Sequence, residues 1–312
     1  MQYLFGVDIG GTTVKIGLVS YEGSLLDSFE IKTNTSENGS KILPEIRDAI
    51  YAYLENKNIN KEDIVGIGFG VPGPVSNNVV RKCINLGWPV LDVEEEFGKL
   101  LDFKTNIACG NDANVAALGE MNVCDLEGIN NSVMFTLGTG VGGGIIMNNT
   151  IVDGTNGAAG ELGHLNIDTL HNYQCNCGLS GCLETVASAT GVVRLAKEYL
   201  HSIPSILNDL SDEKLDCRAV FDAAKAGDKL ALKVVDELGY YIGRAASIVA
   251  CVVDPQIFII GGGVSKAGQF LIDAIESHYK KLAFHAVRNT PFALAKLGND
   301  AGMLGAALLA KK

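Results

Sequence analysis

Three thiols stand close together at Cys175, Cys177 and Cys182, and His164 precedes them by about a dozen positions on the way into the same stretch. Three cysteines and one histidine are the donor set of a closed, tetrahedral, structural zinc site. Four protein ligands leave no position for a reactive water, so such an ion would shape a loop and supply folding energy there. The competing readings are three unligated thiols or a disulfide; a Cys-x-Cys bridge is strained and would leave one thiol over. His171 is a weak rival for the fourth ligand, while His201, His278 and His285 lie in no comparable context.

Glycine and threonine mark a second kind of site. In Asp8-Ile9-Gly10-Gly11-Thr12-Thr13-Val14-Lys15, Gly10 and Gly11 let backbone approach a phosphate, and the Thr12 and Thr13 hydroxyls can donate to its oxygens. Asp8, ending an apolar strand, can hold Mg²⁺ directly or through water. No helix follows, so this is not a Gly-x-x-x-x-Gly-Lys-Ser/Thr loop. A hairpin turn with a solvated Asp is the plainer alternative. Leu137-Gly138-Thr139-Gly140-Val141-Gly142 repeats the pattern, and Gly261-Gly262-Gly263 is a third cluster, suited to a ribose or adenine or to an ordinary tight turn. Asn111-Asp112-Ala113-Asn114 combines a strand end with a helix start, where a carboxylate can serve either as a catalytic group or as an N-cap.

These groups need elements to position them. Apolar runs at 3–9, 14–20, 25–32 and 64–70 read as strands, and 40–56 as a helix with Ile42, Ile46, Ile50 and Tyr53 on one face. A helix near 92–101, a strand at 106–109 and a helix from Asn111 close a first α/β half. The second half restarts at 132–137 and 142–147, passes an irregular stretch over 148–184, and continues with helices at 186–200, 217–226 and 228–253. A strand at 256–260, a helix over 265–279, a strand near 292–297 and a helix from Ala301 end it. Two Gly/Thr hairpins in corresponding places suggest duplication of one α/β unit, with ligands favoured between the copies.

The 312 residues suit two domains of roughly 150. With 47% apolar and 20% charged residues the chain can form cores, and wholesale disorder is excluded. Its net charge of −11, from 25 basic and 36 acidic residues, speaks against nucleic acid or anionic lipid as a partner. No apolar stretch approaches the ~20 residues of a membrane span and no signal segment is visible, so a soluble cytoplasmic protein is expected. The five scattered cysteines then read as small buried hydrophobes.

Taken together, Asp8-Ile9-Gly10-Gly11-Thr12, Gly70-Val71-Pro72-Gly73, Asn111-Asp112-Ala113-Asn114, Leu137 to Gly144, Glu161-Leu162-Gly163-His164 and Cys-x-Cys-Gly-x-x-Gly-Cys-x-Glu ending at Glu184 resemble the ROK family (repressor, open reading frame, kinase), nearest its bacterial glucokinases. The resemblance covers about 3–310, with the motifs in family order. It implies an actin-like, ribonuclease-H-like duplicated fold of two α/β domains around a central cleft, divided as 1–115, with the C-terminal helix 300–312 packing back on it, and 116–299. It implies ATP-dependent phosphorylation of a sugar 6-hydroxyl, with Mg²⁺ and structural Zn²⁺, commonly in a homodimer or tetramer. By position, Asp112 would be the catalytic base. Asn111, Asp112, Glu161, His164, Glu184 and the Gly73 region would contact the sugar, and His164, Cys175, Cys177 and Cys182 would ligate zinc. Asp8, Gly10, Gly11, Thr12, Thr13, Lys15, Thr139 and Gly140 would approach the phosphates and Mg²⁺, with Gly261, Gly262, Gly263 and Val264 bordering the adenosine. The linker Asp168–Gln174 departs from the pattern, lacking the Pro and Gly expected there, which puts its local shape in question. The resemblance leaves open a kinase for another hexose or aminosugar, namely N-acetylglucosamine, N-acetylmannosamine, mannose, fructose or allose. It also leaves a sugar-responsive regulator, although the chain shows no helix-turn-helix ahead of Asp8 and no basic face.

Overall fold

The computed structural model describes residues 1–124 and 126–311. They form two compact units, the first made of Met1–Glu127, Gly144–Gly160 and Leu297–Lys312, the second of Gly128–Gly143 and Glu161–Lys296.

In the first unit β1 (Tyr3–Ile9), β2 (Thr13–Ser20) and β3 (Leu25–Lys32) form an antiparallel meander. A short turn of helix α1 (Ser36–Gly39) leads to α2 (Ile42–Lys57), which buries Ile42, Ile46, Ile50 and Leu54 at four-residue spacing, the apolar stripe that docks a helix on a sheet. β4 (Ile64–Val71) pairs parallel with β1. A small three-stranded sheet follows from β5 (Val75–Ser76), β6 (Val79–Val80) and β7 (Leu91–Asp92), strands too short to leave a period in the sequence. α3 (Val93–Gly98) and β8 (Asn106–Asn111), parallel to β4, precede α4 (Asp112–Asn122), and the main sheet has the order β3-β2-β1-β4-β8. Buried on both faces, β1 and β4 are continuous apolar runs, whereas the edge strand β3 alternates with period two.

The second unit repeats this plan. β9 (Ser132–Leu137) is followed by β10 (Val141–Met147), which belongs to the second unit through Gly143 and to the first beyond it, where Ile146 and Met147 pair with β11 (Thr150–Ile151). After the irregular stretch come α5 (Glu184–Ala187), α6 (Ala189–Tyr199), α7 (Cys217–Lys225) and α8 (Lys229–Val253). β12 (Ile257–Gly261) pairs parallel with β9 and, beyond α9 (Gln269–Leu282), with β13 (Phe292–Leu294). The single helices expected over 186–200 and 265–279 are each divided. Ser188 turns extended and its hydroxyl caps α6 by accepting from Gly191 N at 3.0 Å. Gly268, at φ 75°, separates a 3₁₀ turn at Gly263–Ala267 from α9. Apolar periodicity runs through such caps without registering them.

The chain returns to the first unit as α10 (Ala301–Leu309), nearly all of it buried. It lies directly on backbone. A Cβ at Gly6 or Gly68 would overlap the Met303 or Ala306 carbonyl, and one at Gly305 the Val115 carbonyl of α4. Glu120, 3% exposed, fastens the return by accepting from Leu297 N at 2.9 Å and Gly298 N at 3.2 Å. Because α4 is held between these contacts, the border expected after residue 115 would cut a helix that packs as one piece; the first unit runs on to Glu127 and also takes 144–160. Among the described residues no helix is long and apolar enough to cross a membrane.

Gly68→Ala is expected to force α10 off β4 at a cost of about 3 kcal/mol. Thermal unfolding should then show a midpoint lower by roughly 6–12 °C, and an unchanged midpoint would refute the backbone-contact account.

Candidate functional site

In the first unit the chemistry gathers at the carboxyl ends of parallel strands, where open α/β sheets place their ligands. Register sets Asp8 of β1 beside Gly70 of β4, and Val71 beside Asn111 of β8. Gly70 separates the two acids: a Cβ there would stand 3.7 Å from Asp112 Cα and 3.8 Å from Asp8 Oδ1. The cap of α4 is Asn111, whose Oδ1 accepts from Ala113 N at 3.0 Å and Asn114 N at 3.2 Å. Its Nδ2 donates to Gly73 O at 3.1 Å, tying the Val71-Pro72-Gly73 turn to the helix start. Asp112 is therefore the first helical residue rather than the cap. Its Oδ1 accepts from Ala113 N at 2.8 Å, so the carboxylate is aligned in the positive end of the helix.

Asp8 lies against the first turn of α10; a Cβ at Gly302 would reach within 2.7 Å of its Cγ. Burial pushes its carboxyl above the ordinary range, and Lys15, its cross-strand neighbour, pulls it back down. A divalent cation would reverse the cost of burial, so the site suits Mg²⁺ held through water. The adjoining turn is closed by Gly10 N donating to Thr13 O at 3.0 Å, leaving Gly11 and Thr12 exposed. Thr33, just past the end of β3, braces it, Oγ1 donating to Gly10 O at 2.7 Å and N to Thr12 O at 3.0 Å. No motif in the sequence pointed to Thr33, because its role exists only through strand pairing.

In the second unit Gly261 is in register with Thr136, so the Gly138–Gly140 turn and Gly262-Gly263 emerge side by side from parallel strands. Gly138 N donates to Gly140 O at 2.9 Å, and the turn is fixed to α6 by Ala189 N donating to Gly138 O (2.8 Å) and Thr190 Oγ1 to Thr139 O (3.0 Å). Ala189 and Thr190 also line a cavity of 720 Å³, whose walls include Val193, Phe221, Gly263 and Val264. This size and largely apolar lining suit a nucleoside. Gly261 and Gly262 do not reach the cavity: Gly261 packs on Met134, and Gly262, at φ 81°, lies against the Leu137 backbone. The α7 contribution, Phe221 with Leu215 and Cys217 near the helix start, was not legible in the sequence, where that helix shows only an ordinary amphipathic pattern.

His164, Cys175, Cys177 and Cys182 come together with their ligand atoms all within 4.8 Å of one another. Cys177 Sγ and Cys182 Sγ are 3.6 Å apart, and Cys175 Sγ is 3.8 Å from His164 Nδ1. The edge of a zinc–thiolate tetrahedron with bonds near 2.3 Å is about 3.8 Å, so the donor set fits the ion. Burial and the neighbouring thiols push Cys182 up to about 12, whereas the Leu179 N–H lowers Cys177. A metal ion bound here would favour the thiolate forms of the three cysteines. His171 stands apart, its ring against Glu237 and Glu198, and is not a ligand.

A single 3₁₀ turn, Leu162–His164, puts Glu161 and His164 on one side, with Nε2 3.9 Å from Glu161 Oε2. Since Nδ1 faces the thiols, Nε2 is left on the side of Glu161. Glu184 opens α5; its Oε2 accepts from Val141 N at 3.0 Å and its Oε1 lies 3.8 Å from Cys175 Sγ. A Cβ at Gly140 would collide with that carboxylate, so Gly140 makes room for Glu184 as well as leaving backbone open at the turn.

The sequence profile described as the ROK family matches residues 4–312. A glucokinase of Halalkalibacterium halodurans is 41% identical over 100% of this chain and 96% of its own. Among solved structures, a ROK family glucokinase from Streptomyces griseus in complex with glucose and AMPPNP is 32% identical, covers 99% of both chains and superposes with a TM-score of 0.73. A ROK hexokinase from Thermus thermophilus, 28% identical over 99% and 98%, gives 0.79. The fold is thus the actin-like, ribonuclease-H-like duplicated α/β fold of these kinases.

Asn111→Ala should remove the α4 cap at a cost of about 1 kcal/mol, with faster hydrogen exchange at the Ala113 and Asn114 amides. Unchanged protection there would show that α4 starts without this side chain.

Proposed function

The chain belongs to the ROK family, and on that premise we propose that it is an ATP-dependent sugar kinase that phosphorylates the 6-hydroxyl of glucose. The observation that carries the reading is Asp112: a carboxylate at the first helical position of α4, next to the Asn111 cap, on the strand-end face that also bears Asp8, in a chain similar to glucokinases along its whole length. A hexose is neutral and covered with hydroxyls, so its site needs short donors and acceptors in fixed geometry. Asn111, Asp112, Glu161, His164 Nε2 and Glu184 are such groups, and each rejects an analogue that would leave it buried and unpaired.

In the reaction the 6-oxygen attacks the γ-phosphorus as its proton passes to Asp112, and the bond from phosphorus to the ADP oxygen breaks. General-base help of this kind contributes roughly 10²–10⁴-fold. The rest is positioning and charge neutralisation. The Gly10–Thr13 and Gly138–Gly140 turns offer backbone N–H groups to phosphates, and Lys15 adds positive charge beside Asp8. Mg²⁺, bound by the nucleotide and at Asp8, would neutralise phosphate charge. The 720 Å³ cavity takes the nucleoside. His164, Cys175, Cys177 and Cys182 would hold a structural zinc, which would orient His164 for the sugar. Homodimeric or tetrameric assembly in the cytoplasm belongs to the same reading.

A coupled ADP-release assay over glucose, mannose, fructose, allose and the N-acetylated aminosugars tests the substrate. Glucose should give the highest kcat/KM, and Asp112→Asn should retain glucose binding while kcat falls by at least about 10²-fold. Turnover fastest with another sugar would reassign the substrate, and near-normal kcat in the variant would remove Asp112 from its role. Metal analysis should find one zinc per chain, lost in Cys177→Ser together with a raised KM for glucose; metal-free protein with an unchanged KM would contradict the coupling.

A further inference from the structure

The linker Asp168–Gln174, where the chain departs from its family pattern, is held from outside the thiol cluster. Asp168, 2% exposed, accepts from Leu170 N (3.1 Å), His171 N (3.0 Å) and the Tyr241 hydroxyl (2.9 Å). The His171 side chain is 5% exposed and stacks on Tyr173 with centroids 5.0 Å apart. Each of its ring nitrogens faces a carboxylate on a different helix: Nε2 is 2.5 Å from Glu237 Oε1 on α8, and Nδ1 is 3.5 Å from Glu198 Oε2 on α6. The Tyr199 hydroxyl donates to Glu237 Oε2 at 2.5 Å, the Tyr173 hydroxyl donates to Glu198, and Arg194 covers the Tyr173 ring.

The other edge of this linker is zipped to the segment bearing the last thiol. Ile167 N and Asp168 N both donate to Gly181 O at 3.0 Å, Gly181 N donates to Tyr173 O at 3.0 Å, and Leu183 N donates to Leu165 O at 2.9 Å. His171 therefore lies between Asp168 and Tyr173, both joined by backbone hydrogen bonds to Gly181, the neighbour of Cys182.

We propose that His171, clasped by Glu198 and Glu237, is a positioning residue: a fastening independent of the metal that holds the loop carrying His164 and Cys182 in register for the sugar. The proposal rests on the reading of His164 as a sugar contact. An ion cross-links its four ligands to one another but does not fix their loop to the helices behind it; the clasp does. The His171 and Glu237 side chains are largely buried while Glu198 is half-exposed, so removing the imidazole leaves the Glu237 carboxylate in a largely buried place with the Tyr199 hydroxyl as its remaining clasp partner, which costs stability at that point.

The test uses the full chain carrying His171→Phe and, separately, Glu237→Gln. The readouts are hydrogen exchange at the Gly181 and Leu183 amides, zinc release to a chromogenic chelator, and the KM and kcat for glucose. Loss of outer support should speed exchange and zinc release and raise KM by about tenfold, with kcat within about threefold. Wild-type exchange, release and KM in both variants would overturn the clasp, as would a fall in kcat at constant KM. Should His171→Phe not fold, Glu237→Gln and Tyr199→Phe decide. If the unaltered protein phosphorylates no sugar, the kinase reading fails, while amide exchange still judges the clasp.

Discussion

The first unit depends on how closely α10 can approach the sheet. Helix axes normally stand away from strands by the thickness of two side-chain layers; here Gly6 and Gly68 remove one layer, and the helix backbone rests on β1 and β4. The same helix meets α4 at Gly305 and Gly119, so strand and helix are locked by one element drawn from the far end of the chain. That element also sets the chemistry. β1 ends at Asp8 and α4 begins at Asp112, and Gly302 brings the start of α10 against the Asp8 carboxylate. Interiors packed at this density transmit small displacements rather than absorbing them, so a methyl group buried under α10 would be felt at both acids.

The second unit solves a different problem. Its Glu161–Leu183 stretch has almost no regular secondary structure and little apolar burial of its own, so conformational entropy opposes any single shape. Two independent sets of polar contacts overcome that opposition. The thiols and His164 converge on one point and draw in Glu184, while the linker sets the buried His171 side chain and the half-exposed Tyr173 against carboxylates of α6 and α8. A loop restrained at both places can hold Glu161 and His164 in fixed geometry, as their proposed contacts to a hexose would demand, since hexoses differ by the direction of single hydroxyls.

Both units use the strand-end rule, and with the same parts. A Gly/Thr turn joins two antiparallel strands, a parallel strand follows in register, and a glycine at its end lets neighbouring atoms approach closely: Gly70 in one unit, Gly261 and Gly262 in the other. One copy adds acids and the other a nucleoside-sized cavity.

The strands, the two Gly/Thr turns, the metal donors and the candidate base were legible in the sequence because each is local: alternation, tight turns and ligand spacing are written within a few residues. The caps were only partly legible, since Asn111 and Asp112 are both good caps and only the folded helix start shows that Asn111 takes the role and tells which nitrogen of His164 faces the thiols. Thr33 under the first turn, Phe221 in the cavity wall and the clasp on His171 left no mark at all. Each depends on partners tens of residues away, and such pairings exist only once sheets and helices have packed. Side-chain type and local spacing determine which chemistry this chain can carry; long-range packing decides which of those groups are aimed, buried or held.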